Sequence, residues 1–342
     1  MRRQWRRCYP LLCVVILLTL GGCQKTADKE VQREVFAMDT YMNLRAYGEG
    51  AQQGLTEAVA EIERLEGLFG VNEPQSDLSR IRQADGQAVT VSEETAELLQ
   101  TALTIGQQTE GALDVTIYPV LRAWGFTGEQ HQVPSDKELQ ALLPLVDHRA
   151  VVLEGQTVTV PSEAAVDLGA VAKGYTSDRL CTILREHGVT SALLNLGGNV
   201  QAIGTKPDGS RWKVGIAHPQ GGEPIAVLSI ADAAVITSGS YERCFTAEDG
   251  TQYHHIIDPQ TGYPVRNGLT SVTVIGQKGV LCDALSTAFF VMGQEKSADF
   301  WRAHPEIEVV WINEENHLYL TEGLRDVVQT EAPCTIIERG AA

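Results

Sequence analysis

Between Glu34 and Thr321 the apolar pattern switches between a period of two and a period near 3.6, but the two never alternate regularly. A doubly wound parallel sheet needs strand, helix and strand in strict succession. Here strands come in groups with helices inserted, which predicts an α+β fold instead. Tyr41-Met42-Asn43-Leu44-Arg45-Ala46-Tyr47 alternates as a strand within a segment starting at Glu34. Leu55, Val59, Ile62, Leu65 and Phe69 recur on one helical face. A second helix is expected from Glu93, capped by Ser92, to Glu110, with Gly111 in the left-handed terminal position. Ser135-Asp136-Lys137-Glu138 is a capping box that opens a third. Val151–Leu153 and Val158–Val160 flank turn residues as a hairpin. A helix then runs from Val171 to His187, closed by Gly188, and strand-like runs fill Ala192–Val274. An apolar helix over Cys282–Met292 and a hairpin over Ile307–Thr321 follow. No fixed-period repeat or long linker divides residues 34–342, which therefore read as a single domain.

The first 33 residues have another character. Arg2, Arg3, Arg6 and Arg7 precede an apolar run from Leu11 to Leu20. That run is too short for a membrane-spanning helix, which needs about 20 residues, but suits a signal-peptide core. It ends in Leu20-Gly21-Gly22-Cys23, the pattern of a bacterial lipobox. Residues 1–22 are therefore expected to be a signal peptide, Cys23 the lipidated first residue of the mature chain, and 23–33 a polar tether. The composition agrees that a lipid must hold the protein on the extracytoplasmic face of the membrane. Lys and Arg number 27 against 44 Asp and Glu, a net charge of −17, and the signal removes four Arg and no acid. Such a body has no charge attraction for anionic lipid or for nucleic-acid phosphates. Of seven Cys, Cys181, Cys244, Cys282 and Cys334 remain beyond the lipobox. They show no metal-ligand spacing and read as small buried apolar side chains.

Six segments are richer in Gly, Asp, Asn, Thr or His than a scaffold requires. Asp167-Leu168-Gly169-Ala170-Val171-Ala172-Lys173 offers a helix start and a point charge for phosphate, or simply a strand-to-helix turn. Asn195-Leu196-Gly197-Gly198-Asn199 permits close approach of a ligand or of another backbone. Thr237–Arg243 is the third. In His254–Pro264, Asp-Pro and Thr-Gly fix turns that would hold a neighbouring His rigidly, either as a proton acceptor or as a satisfied strand residue. Asp283 and Thr287 stand four apart, so on a helix both oxygens face one side, a pattern that suits Mg²⁺ or is simply an Asp near a helix start with a buried Thr. Gly111-Ala112-Leu113-Asp114-Val115-Thr116, followed by Trp124-Gly125-Phe126, supplies a carboxylate for a ribose or base edge and aromatic rings for stacking.

In order, these segments resemble the ApbE family of FAD:protein FMN transferases. Phe36-Ala37-Met38-Asp39-Thr40, Ser76-Asp77-Leu78-Ser79, Gly111–Asp114, Trp124–Phe126, Asp167–Tyr175, Leu196–Asn199, Thr237–Arg243, His255–Pro264 and Asp283–Thr287 carry the likeness, over about Phe36 to Gly293. Asp39, Leu113 and Ser240 stand where many members have Gly, Phe and an acid.

The resemblance implies mixed sheets with packed helices, related to the T-fold, and an FAD held in a cleft with Mg²⁺ at its diphosphate. It implies flavin-nucleotide contacts from Met38, Ala112, Leu113, Asp114, Asp167, Lys173 and Ile256. It implies metal ligation by the Ala170 carbonyl, Asp283 and Thr287, with Ser286 beside them, and a base in His255 with Asp258 orienting its loop. The implied reaction moves FMN from FAD to a Thr or Ser hydroxyl of an acceptor flavoprotein and releases AMP. Acceptors of this kind are flavin-carrying subunits of membrane electron-transfer complexes, Nqr- or Rnf-like. Two alternatives use the same cleft: an FAD pyrophosphatase giving FMN and AMP, and a lipoprotein that binds flavin without chemistry.

Overall fold

The computed structural model describes residues 29–128 and 130–340. The signal peptide, the lipobox and Cys23 lie outside the described residues. No described helix is long and apolar enough to cross a membrane.

Among the described residues seven α-helices form: Ala51–Phe69 (α1), Asp77–Ala84 (α2), Glu93–Gln108 (α3), Tyr118–Trp124 (α4), Asp136–Leu142 (α5), Ala172–Glu186 (α6) and Gly279–Arg302 (α7). The largest sheet has nine strands in the order 30–37, 40–47, 191–196, 199–203, 234–239, 269–276, 307–313, 318–321 and 334–337. Neighbours are antiparallel except the last pair, which is parallel. The expected α+β class is thus the observed one.

Period-two alternation explains how this sheet is covered on both faces. Along 307–313, Ile307, Val309 and Trp311 join the core beneath α7, while Val310 and Ile312 face the opposite side. There they meet Trp212, Val214, Ile216 and Leu228 of a three-stranded sheet formed by 212–216, 226–230 and 328–329. α1 and α6 cover the 40–47 and 191–196 strands through Leu55, Ile62, Leu180 and Leu184. Phe289, Phe290 and Trp301 are fully buried. At about 25 cal/mol per Å² of apolar area, these side chains fix where α7 lies on the sheet.

Differences from expectation have local causes. The first strand begins at Glu30, so the last four tether residues belong to the sheet. Its outward positions Glu30, Gln32 and Glu34 are polar, and only Val31, Val35 and Ala37 supply inward apolar side chains. α7 starts at Gly279 and carries a break at Gly293 (φ 78°, ψ 172°), just past the expected end at Met292. Gly111 takes φ 83° after α3, and its N–H bonds the Gly106 carbonyl at 2.8 Å. Cys181 and Cys282 are buried as expected, Cys244 is half-buried and Cys334 is exposed.

Candidate functional site

A cleft of about 440 Å³ opens where α1, α6, α7 and the loops between them meet the ends of the long sheet. This volume lies in the range that holds small ligands and cofactors. Met38, Ala112, Leu113, Asp114, Asp167, Ala170, Lys173, His255, Ile256, Asp283 and Thr287 all line it. Asp258 and Ser286 do not.

One wall is set by two helices in unusually close contact. The Gly174 N–H of α6 donates to Asp283 Oδ2 of α7 at 2.8 Å. A Cβ on Gly174 would sit 2.3 Å from the Gly279 carbonyl oxygen, so only Gly allows this approach. Asp178 fastens the same junction: its carboxylate accepts the Gly279 and Val280 N–H groups at 2.8 and 3.0 Å, capping α7 from another helix. Sequence reading passed over Asp178, because its partners lie a hundred residues away. Below Asp283, Ser286 Oγ donates to the Asp283 carbonyl at 2.9 Å and meets Ser238 Oγ at 2.9 Å. Ser238 Oγ also meets Thr287 Oγ1 at 3.1 Å. Ser286 therefore supports Asp283 and Thr287 from behind, directly and through Ser238.

Asp283 is only 5% exposed, and burial raises its carboxyl pKa, against the opposing pull of Lys173 and the Gly174 N–H. A desolvated carboxylate opening on a cleft, with a hydroxyl one helical turn on, is stabilised by a divalent cation. Among the described residues no three of His, Cys, Asp and Glu converge. The cleft lining does bring the carboxylate of Asp283 and the hydroxyl of Thr287 together with Ala170, and one carboxylate with neutral oxygen donors would suit Mg²⁺ retaining waters and adding substrate oxygens.

Two adjacent histidines beside the cleft have different fates, and only His255 is in its lining. His254 Nε2 lies 3.0 Å from the Val265 carbonyl and its Nδ1 accepts the Ile256 N–H at 3.3 Å, so its ring is committed to the scaffold. His255 faces the cleft, its N–H held by the Arg243 carbonyl at 3.1 Å and its buried Nδ1 unpartnered. Burial, then the charges of Arg243 and Lys173, push its pKa down to about 3. The ring is neutral at physiological pH, the form a proton acceptor needs. Because the folded pKa lies below the ordinary 6.5, only the unfolded chain takes up this proton between pH 6.5 and about 3. Stability is intact above that window and declines as pH falls through it. Thermal unfolding between pH 6.5 and 4 should therefore fall more steeply for the unaltered protein than for His255→Gln; equal slopes would contradict this assignment.

Asp258 lies outside the cleft. Its backbone N–H bonds the Tyr263 carbonyl, its carbonyl accepts the Gly262 N–H, and its Oδ1 accepts the Gln260 N–H, so it shapes the turn behind His255. It is a positioning residue and not a group at the reacting atoms. Trp124 anchors the same turn through Nε1 to the Gly262 carbonyl at 2.8 Å and is fully buried. The segment was expected to supply an aromatic for stacking, and of Trp124 and Phe126 only Phe126 reaches the cleft.

Asp114 also departs from expectation. Thr116 donates N–H and hydroxyl to its Oδ1, while the His148 N–H and Nδ1 engage Oδ2 at 2.9 and 3.0 Å. All four acceptor positions are occupied, so Asp114 shapes the wall and leaves none for a ribose or base. Asp167 accepts the Gly169 N–H at 2.7 Å, and burial raises its pKa. Met38 and Asp39 form a two-residue hairpin turn with φ 51° and 56°. Glu66 holds that turn through the Met38 N–H at 2.6 Å. Glu66 and Arg243 both line the cleft, and neither stood out as a site residue in the sequence, where one reads as a helix-surface charge.

Residues 38–311 match the ApbE family. The chain belongs to this family. Among ApbE proteins of known structure, that of Thermotoga maritima is 30% identical with a TM-score of 0.83, covering 87% of this chain and 99% of its own. The flavin transferase ApbE of Vibrio cholerae is 28% identical with a TM-score of 0.80 and the same coverage. The FAD:protein FMN transferase of Treponema pallidum is 32% identical across 95% of this chain and 96% of its own length. The span of the ApbE match runs from the Met38 turn through α7 and takes in every cleft wall described above.

Proposed function

We propose that this protein transfers FMN from FAD to a Thr or Ser hydroxyl of an acceptor flavoprotein, with release of AMP. The observation that carries the reading is the presence of Asp283, Thr287, Ala170, Lys173 and His255 together in the lining of a single cleft. The acceptor oxygen forms a bond to the FMN-side phosphorus, and the bond from that phosphorus to the AMP oxygen breaks. The imidazole of His255 takes the hydroxyl proton, and AMP departs as the anion. Lys173 steadies the diphosphate oxygens, and anionic substrate offsets the cationic neighbours that depress His255, making it a stronger base when FAD is bound. Asp283, Thr287 and the Ala170 carbonyl would hold Mg²⁺, which supplies neutralisation of phosphate charge. Met38, Leu113 and Ile256 give apolar contact to the flavin nucleotide.

The N-terminal sequence supports placement by a lipid on Cys23 at the extracytoplasmic face of the membrane. That placement suits acceptors of the Nqr or Rnf type, whose flavin-carrying subunits sit in the same membrane. Incubation with FAD, Mg²⁺ and such a subunit should give in-gel flavin fluorescence and a covalent FMN mass increment on the acceptor. AMP and free FMN formed equally fast without acceptor, and no increment with it, would replace transfer by hydrolysis.

A further inference from the structure

Among the described residues the cleft lining holds seven Asp and Glu but only two Lys or Arg, Lys173 and Arg243. A diphosphate arriving there meets net repulsion, so each cation has a large share in holding it. Arg243 reaches from the 237–243 segment of the lining to the hairpin turn, where its Nη2 lies 3.2 Å from Asp39 Oδ2, joining residues 204 apart. The two side chains are 52% and 80% exposed, so this ion pair is weak and yields to a better partner. A diphosphate is such a partner, since its paired oxygens match the planar guanidinium fork. The charge of Arg243 is also felt at Asp167, Glu242 and His255, which places the guanidinium among groups from three separate segments of the cleft.

We propose that Arg243 is a second cationic ligand of the FAD diphosphate, and that Asp39 is its substitute partner in the empty cleft, displaced when FAD binds. Displacement unlatches the hairpin turn from the 237–243 segment and clears the mouth for the acceptor. This inference rests on the reading that FAD occupies the cleft.

The test compares affinity for FAD with affinity for riboflavin, which carries the ring and ribityl chain without phosphate, by flavin fluorescence. Arg243→Ala should weaken FAD binding by about tenfold or more and leave riboflavin within about twofold. Asp39→Asn retains a side chain that tolerates the left-handed turn. It should tighten FAD binding by about two- to fivefold, and lose that gain when Arg243→Ala is also present. An unchanged ratio of FAD to riboflavin affinity in Arg243→Ala overturns the diphosphate contact. An equal gain from Asp39→Asn in both backgrounds overturns the competition, since Asp39 would then act only as bulk negative charge. An unaltered protein that binds no flavin removes the functional reading and this one with it; FAD binding that is indifferent to Arg243 removes this one alone.

Discussion

Asp283→Asn should lower the rate of FMN transfer about a thousandfold, without loosening the fold. Asn keeps the volume of Asp and an oxygen for the Gly174 N–H, which Asp283 accepts at 2.8 Å. It removes the negative charge on which a divalent cation depends. Charge stabilisation by a bound metal is worth several kcal/mol in a transition state, and each 1.36 kcal/mol is a factor of ten. Stability should move the other way. Burial raises the pKa of Asp283, which means that its ionised form is disfavoured in the empty protein. A neutral amide relieves that penalty. The urea midpoint should be unchanged or higher, while transfer no longer responds to added Mg²⁺. Transfer that persists at the original rate and remains sensitive to chelation would contradict the role given to Asp283.

His255→Gln should lower transfer by about 10²–10⁴-fold at saturating FAD and acceptor, the span of a lost general base. The Michaelis constant for FAD should change little, because the substitution keeps a polar group of similar reach and leaves Lys173, Asp283 and Thr287 in place. The rate of the unaltered protein should fall at acid pH as the FAD-bound imidazole protonates, and the variant should lose that limb. His254→Gln tests the assignment from the neighbouring position. Both His254 nitrogens are committed to backbone, so its loss should appear in stability and in the geometry of the loop. If the two variants lose transfer equally and both keep the acid limb, neither imidazole is the base.

Much of this arrangement was legible in the sequence wherever the signal is local. The amphipathic face from Leu55 to Phe69, the capping box at Ser135 and the hairpin at 307–321 are each confined to fifteen residues or fewer, and each appears as read. The i, i+4 pair Asp283 and Thr287 likewise needs only a helix to bring its oxygens to one side. What the sequence withheld is non-local. Strand 40–47 pairs with 191–196 across most of the intervening chain, and no periodicity announces that register. Asp114 looked free because the His148 that occupies it lies 34 residues on. Asp258 looked like a site residue because it borders His255, yet its bonds all return to its own turn. Asp178 carries an ordinary surface charge until the fold sets its partners opposite it, and Arg243, within a segment the sequence singles out, gains a partner in Asp39 only through the fold.

The account depends on a diphosphate being gripped at the junction of α6 and α7. The most direct measurement is a crystal structure of the protein soaked with FAD and Mg²⁺. The account predicts an ion coordinated by Asp283, Thr287 and the Ala170 carbonyl, with diphosphate oxygens completing its shell and the FMN-side phosphorus facing His255. Flavin bound in the cleft with its phosphates turned to solvent, away from Asp283 and Thr287, would contradict it.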